Sequence, residues 1–164
     1  MTILTTSDID IICIEILDKI KREYPFYYPH VYFMYHYGVR IGETFGNHIE
    51  SDFHSGKIII YPQKKNQTRI HNPIDSETLY NLELLQKYSV NLWLNKRNLQ
   101  RILEKVHPIR SLKCGRKKIN AHIFRHNWVK KQITVGKQIV NINSMLGYTW
   151  QNVATSYAIS QLYY

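Results

Sequence analysis

At 164 residues, 44% of them hydrophobic and with no low-complexity tract, the chain has the size and apolar content of one folded domain rather than of a disordered segment. No apolar run reaches the length of a membrane span, Asp8 and Asp10 stand where a signal peptide carries positive charge, and Cys13 and Cys114 are too few and too far apart for a disulfide framework. The expectation is an intracellular protein with reduced thiols and no membrane attachment, and its formal net charge of +10 favours a polyanion as partner.

Residues 7–22, "SDIDIICIEILDKIKR", open on a Ser or Asp cap, place acids in the first turn and bases in the last, and repeat apolar residues at helical spacing. They predict a helix. "YPFYYPHVYFMYHYG" follows as an aromatic-rich helical run that ends at Gly38, a natural C′ glycine, and its rings read as core rather than as a base-stacking platform. "HIESDFHSGKIIIYPQKKNQTRIHNPI" reads as a small antiparallel sheet, with a β-rich "KIIIY", a polar turn "PQKKNQ" and a short strand "TRIHNPI". Helices are expected near 76–88, 95–107, 120–134, 136–146 and 150–158, with a basic loop at 108–118. The whole is a mainly helical α+β fold in a single domain, 1–164.

Basic residues gather at 64–69, 95–101 and 110–118, in turn-like and loop-like stretches rather than along an amphipathic membrane helix. Four further pieces carry side chains suited to phosphate chemistry: "YGVRIGE" with Arg40 and Glu43, "PQKKN" with Lys64, "HIFRH" with His122 and Arg125, and "MLGYTWQNVATSY" with Tyr148 and Tyr157. Each has an ordinary reading as well. Arg40 and Glu43 stand at the i,i+3 spacing of a local ion pair, and lysines in turns are usually solvated. His122 and His126 have the i,i+4 spacing of a zinc pair, but no carboxylate lies inside the pair and no third ligand is evident, so no metal is expected.

Taken in order, the four pieces resemble the catalytic domain of the tyrosine recombinases, the phage integrase family. "YGVRIGE" is similar to the family's first-arginine motif, "QKKNQTRIHNPI" to its lysine-bearing β-hairpin, "HIFRHNW" to its His-x-x-Arg-His helix start, and Tyr157 lies nine residues after Tyr148, where the family keeps its nucleophile. The resemblance implies DNA strand cleavage and rejoining through a 3′-phosphotyrosine, as in integration or excision of a mobile or viral element. It implies Arg40, Lys64, His122, Arg125, Tyr148 and Tyr157 as catalytic residues, with Glu43 and His126 supporting them. Lys65, Arg69, Arg116, Lys117 and Lys118 are expected to bind DNA. It further implies double-stranded DNA as partner, self-association as a tetramer on that DNA, no cofactor, and no counterpart here of the family's N-terminal DNA-clamping domain.

One position departs from the family pattern. After Leu-Gly the family has His or Trp, and this chain has Tyr148, a hydroxyl donor that is not a cation at neutral pH. Two alternatives follow: a DNA-binding module of the same fold with weakened catalysis, and a type IB topoisomerase or telomere resolvase using similar phosphotyrosine chemistry.

Overall fold

The computed structural model describes residues 6–52, 54–62, 68–73, 75–106, 113–114, 117–118, 122–138, 141–142 and 145. Helix α1 (Thr6–Glu23) buries Ile9, Ile12, Cys13, Ile16, Leu17 and Ile20, a stripe at alternating three- and one-residue steps that follows the 3.6-residue period. A 3-10 turn (Pro25–Tyr27) leads into α2 (Tyr28–Tyr37), which has Pro29 in its first turn and buries Pro29 through Met34. A helix apolar on nearly every side belongs in the centre of a domain, and α2 lies there between α1, α3 and α5. Tyr32 and Phe33 of α2 are buried, as is Tyr27 of the preceding turn, and the half-buried Tyr28, Tyr35 and Tyr37 pack against the same core.

A second 3-10 turn (Ile41–Thr44) carries the chain to a three-stranded antiparallel sheet in the order β1 (Ile49–Asp52), β2 (Lys57–Ile60), β3 (Arg69–Pro73). In β2, Ile58 and Ile60 face the core, and they pair with His71 and Arg69 of β3. Helix α3 (Ser76–Tyr88) starts at Asp75, whose carboxylate accepts from the Thr78 N–H at 2.7 Å. Helix α4 (Lys96–Val106) buries Leu99, Leu103 and Val106 while Lys96, Arg97, Arg101 and Lys105 stay exposed.

Helix α5 (His122–Thr134) packs against α1 and α2. Asp10 is the polar tie among the three: its Oδ1 accepts from Asn127 Nδ2 at 2.8 Å and from the Tyr35 hydroxyl at 2.9 Å, with Lys131 Nζ at 3.3 Å. Burial opposes the charge on Asp10, but these donors outweigh it and hold the carboxyl below its usual range.

The helices expected at 76–88, 95–107 and 120–134 are found within two residues of those limits. Two readings change. The sheet has a third strand, β1, and the expected basic loop at 108–118 contains a short hairpin, β4 (Lys113–Cys114) paired antiparallel with β5 (Lys117–Lys118). The Cys114 to Lys117 pairing leaves only Gly115 and Arg116 between the strands, the loop length of a tight hairpin, and two-residue strands are too short to show an alternating pattern. Of the helix expected at 136–146, residues 137–138 are not helical, whereas 141–142 and 145 are. The helix expected at 150–158 lies outside the described residues.

Candidate active site

The site begins where α2 stops. Gly38 takes the left-handed conformation, φ +64°, that ends the helix and turns the chain toward Arg40. The residue must be glycine for a second reason: a Cβ there would fall 2.8 Å from the Trp128 ring. Trp128 Nε1 donates to the His36 carbonyl at 3.1 Å, and Arg125 Nη1 donates to the Gly38 carbonyl at 2.7 Å. Arg125 and Trp128 are three residues apart on α5, so one helix face grips the end of α2 twice. Both grips set the position from which Arg40 departs.

Arg40 then caps the turn Ile41–Thr44, and Glu43 reaches back so that its Oε2 accepts from the Arg40 backbone N–H at 3.0 Å. The Glu43 carboxylate is 1% exposed and meets two guanidinium groups: Arg40 Nη1 stands 3.7 Å from Oε1, and Arg69 Nη2 donates directly to Oε2. Burial pushes the Arg69 guanidinium down from its ordinary value, Glu43 pulls it back up, and the nearby charges of Arg125 and Arg40 press it down again. Arginine remains charged through shifts of this kind. Two arginines thus meet one buried carboxylate, with the charge of Arg125 close to Arg69, and positive charge concentrates between the end of α2 and the root of the β2–β3 hairpin.

Of the residues expected from the sequence, the structure brings Arg40, Glu43 and Arg125 together. His122 is the first residue of α5, exposed and one turn ahead of Arg125; His126 is half-buried on the next turn. Lys117 and Lys118 form β5. Lys64, Lys65, Arg116, Tyr148 and Tyr157 lie outside the described residues. Arg69 is corrected: it is 2% exposed and engaged by Glu43, so it is not part of a surface patch for DNA.

The sequence reading missed that inward turn of Arg69, and the strand itself is inverted. In β3 the charged Arg69 and the polar His71 are buried while Ile70 between them is 62% exposed, the reverse of the ordinary apolar-in alternation. A polar residue held inward on both sides of an outward isoleucine is the signal that was available. His71 packs edge-on against Tyr37 and Trp128, and its hydrogen bond to the Met145 backbone ties β3 to the segment leading toward Tyr148. Behind Glu43, a cleft of about 190 Å³ is walled by His30, Phe45, Ile49, Leu85 and Leu94. Thr44 donates its hydroxyl to the Ile41 carbonyl at 2.8 Å, so it accepts from His30 Nδ1 at 3.1 Å, which places a proton on Nδ1, and burial, which lowers the imidazole to about 4, keeps the ring neutral. Among the described residues no three His, Cys, Asp or Glu side chains come together as a metal site, and no helix is long and apolar enough to cross a membrane.

Three solved structures share this architecture, and all three are tyrosine recombinases. The XerA recombinase superposes over 99% of this chain with a TM-score of 0.64 at 16% identity. The Tn1549 transposon integrase in complex with transposon right end DNA matches 95% of the chain with a TM-score of 0.61, and the XerH site-specific recombinase bound to difH substrate matches 96% with a TM-score of 0.61, each at 16% identity. This chain covers 62%, 61% and 50% of those three chains, respectively. No family model and no curated protein sequence matches it. The chain therefore has the tyrosine recombinase fold: a mainly helical α+β domain with a small three-stranded antiparallel sheet.

Proposed function

We propose that the protein cuts and rejoins DNA through a covalent 3′-phosphotyrosine, as a site-specific recombinase or integrase. The observation that carries this reading is the arginine cluster: Arg40 and Arg69 both meet the buried carboxylate of Glu43, and Arg125, whose charge is felt at Arg69, holds the Gly38 carbonyl where the fold ends α2 against α5. A cluster of guanidinium groups favours an anion nearby, and the phosphodiester of DNA supplies one that gains charge on its oxygens as it is attacked. Two of the similar structures hold DNA, which supports the choice of polyanion.

In this mechanism Arg40 and Arg125 stabilise the non-bridging oxygens with planar, permanently charged forks. The Tyr157 oxygen attacks phosphorus, a P–O bond to tyrosine forms, and the bond to the 5′-oxygen breaks. The tyrosine proton passes to His122, whose position at the exposed start of α5 gives it access to solvent and substrate. The leaving 5′-oxygen takes a proton from Lys64 at the β2–β3 hairpin, and Tyr148 donates a hydrogen bond to a phosphate oxygen. One phosphate ester replaces another, so the broken link is conserved in the intermediate and a 5′-hydroxyl from a second strand reverses the step without a cofactor. Strand exchange between two duplexes requires several protomers, and a tetramer on DNA is the assembly this chemistry asks for. The exposed bases of α4, with Lys117 and Lys118 of β5, Arg116 beside them in sequence and Lys65 between β2 and β3, supply duplex contacts.

The test is a duplex nicked near the cleavage site so that the cut end diffuses away. A protein–DNA adduct stable to denaturant is expected; duplex binding with no adduct would instead favour the reading as a DNA-binding module, for which Tyr148 is the specific sequence feature.

A further inference from the structure

Between α3 and α4 the chain makes a short loop, "SVNLWLN" at 89–95, whose large side chains do not serve the core. Val90 is 84% exposed, Leu92 90% and Trp93 82%, while Leu94 beside them packs against the core. Single exposed apolar residues are ordinary, but three within four positions form a patch of the kind that marks a contact surface. The patch is held stiffly. The Trp93 carbonyl accepts from the Tyr27 hydroxyl at 3.0 Å and from Asn98 Nδ2 at 2.9 Å, and the Trp93 N–H donates to Asn91 Oδ1 at 3.0 Å. Asn95 Nδ2 donates to the Leu92 carbonyl at 3.2 Å, and its Oδ1 accepts from the Asn98 N–H at 2.9 Å, which caps α4. Three asparagines thus satisfy peptide groups of the tip from both flanks, and its apolar side chains project from a fixed frame.

The charge around the tip selects its partner. Between Glu83 and Glu104 the sequence has no acidic residue and four exposed cations, Lys87, Lys96, Arg97 and Arg101. An apolar tip flanked by cations suits an anion with an apolar interior, and a DNA duplex is built that way, with phosphates outside and base faces within. A lipid surface is met by a longer amphipathic helix with a broader apolar face, and a second copy of this +10 chain would face the patch with like charge. The tip also runs directly into α4, whose exposed bases are the proposed duplex contacts. We propose that residues 90–93 form a DNA wedge: Leu92 and Trp93 press against base pairs whose phosphates Lys96 and Arg97 hold, and so favour a kinked duplex. The inference rests on the reading of DNA as the partner and goes beyond it, because phosphate contacts alone assign no deformation to the duplex.

The test compares a fully paired duplex with one of equal length that carries a mismatched step, using anisotropy for affinity and energy transfer between the duplex ends for bending. A mismatched step costs less to open, so a wedge prefers it, whereas a surface that holds only phosphates does not. The wild type should bind the mismatched duplex about 5–10-fold more tightly, the low end of what an apolar or stacked side chain contributes, and should bend it. Replacing Leu92 and Trp93 together by Ser should abolish the preference and the bend and leave the salt slope of binding unchanged, because the phosphate contacts remain. The bonds that hold the tip use backbone groups of 92 and 93, so this variant should unfold in urea at the wild-type midpoint. Trp93→Phe, which keeps a flat apolar ring, should retain most of the preference. Bending is read without cleavage: if the wild type bends DNA and forms no adduct, the cleavage reading fails and the wedge stands. A Ser variant that prefers and bends the mismatched duplex as the wild type does would overturn the proposal. So would a Ser variant that bends DNA normally but loses binding to phosphatidylserine vesicles or self-association in sedimentation, since the tip would then belong to a lipid surface or a second copy.

Discussion

Arg125 and Gly38, 87 residues apart in the chain, are joined by a 2.7 Å hydrogen bond from the guanidinium to the carbonyl that closes α2. The bond places one arginine of the proposed clamp against the backbone that launches the other, since Arg40 follows Gly38 by two residues. Arg125→Lys keeps a positive charge but loses the planar fork that can serve the Gly38 carbonyl and a phosphate oxygen together. Adduct formation on a nicked duplex should fall by about 10²–10³ for Arg125→Ala and Arg40→Ala, and Arg125→Lys should not restore it. Duplex affinity should change little in each case, because these charges matter most as charge develops on phosphorus. An alanine variant that cleaves at the wild-type rate would make that arginine structural.

The same junction predicts a stability effect. Gly38→Ala asks alanine to adopt φ +64° and to place a Cβ 2.8 Å from the Trp128 ring. Left-handed strain and the clash together should cost about 2–3 kcal/mol in urea unfolding. Cleavage should fall further than the lost folded fraction explains, since the shift displaces Arg40. A Gly38→Ala protein as stable as the wild type would show that Trp128 moves aside freely.

Much of this architecture is readable from the residues alone, and the reason is periodicity. The stripe from Ile9 to Ile20, the Asp75 cap before α3 and the glycine after Tyr37 each announce a helix or its end by local chemistry. What local chemistry does not encode is the face a charged residue presents. Arg69 stands beside "KKNQ" in a run of surface-type residues, and only the pairing with β2 and the carboxylate of Glu43, 26 residues earlier, draws it inward. The hairpin β4–β5 was hidden for another reason: two residues per strand give no alternation to detect. Of the proposed site, the sequence order disclosed Arg40, Glu43 and Arg125, while the grip of Trp128 on Gly38 is a tertiary contact with no sequence signature.

Two buried histidines set an expected pH dependence. Burial lowers His30 and His71 to about 4, from an ordinary value near 6.5. For a histidine with a depressed folded pKa, the unfolded chain takes up the proton first. The stability contribution is therefore fully present above about pH 6.5 and is lost as pH falls toward 4. At about 1.4 kcal/mol per pKa unit, the two together should remove several kcal/mol across that range. Urea unfolding at stepped pH should show this slope, and it should flatten by about half when either histidine is replaced by Gln. A stability constant from pH 7 to 4.5 would mean that neither imidazole is held neutral.

Binding to DNA should be dominated by phosphate contacts. Affinity for a duplex of arbitrary sequence is expected to fall steeply with salt through counterion release. Replacing the exposed Arg97 and Arg101 of α4 by Gln should reduce the slope by up to about two without abolishing the fold, since neither side chain belongs to the core. An affinity indifferent to salt would remove DNA as the partner of the basic surface.

The central claim is that Tyr157 becomes covalently linked to a 3′-phosphate. The direct measurement is peptide mapping of the adduct trapped on a nicked duplex, made with the wild type, Tyr157→Phe and Tyr148→Phe. The account predicts phosphotyrosine at Tyr157, complete loss of adduct in Tyr157→Phe with folding and DNA affinity preserved, and slowed but continuing cleavage in Tyr148→Phe, which loses one neutral hydrogen-bond donor. Phosphotyrosine at Tyr148, Tyr163 or Tyr164, or an undiminished adduct in Tyr157→Phe, would contradict it.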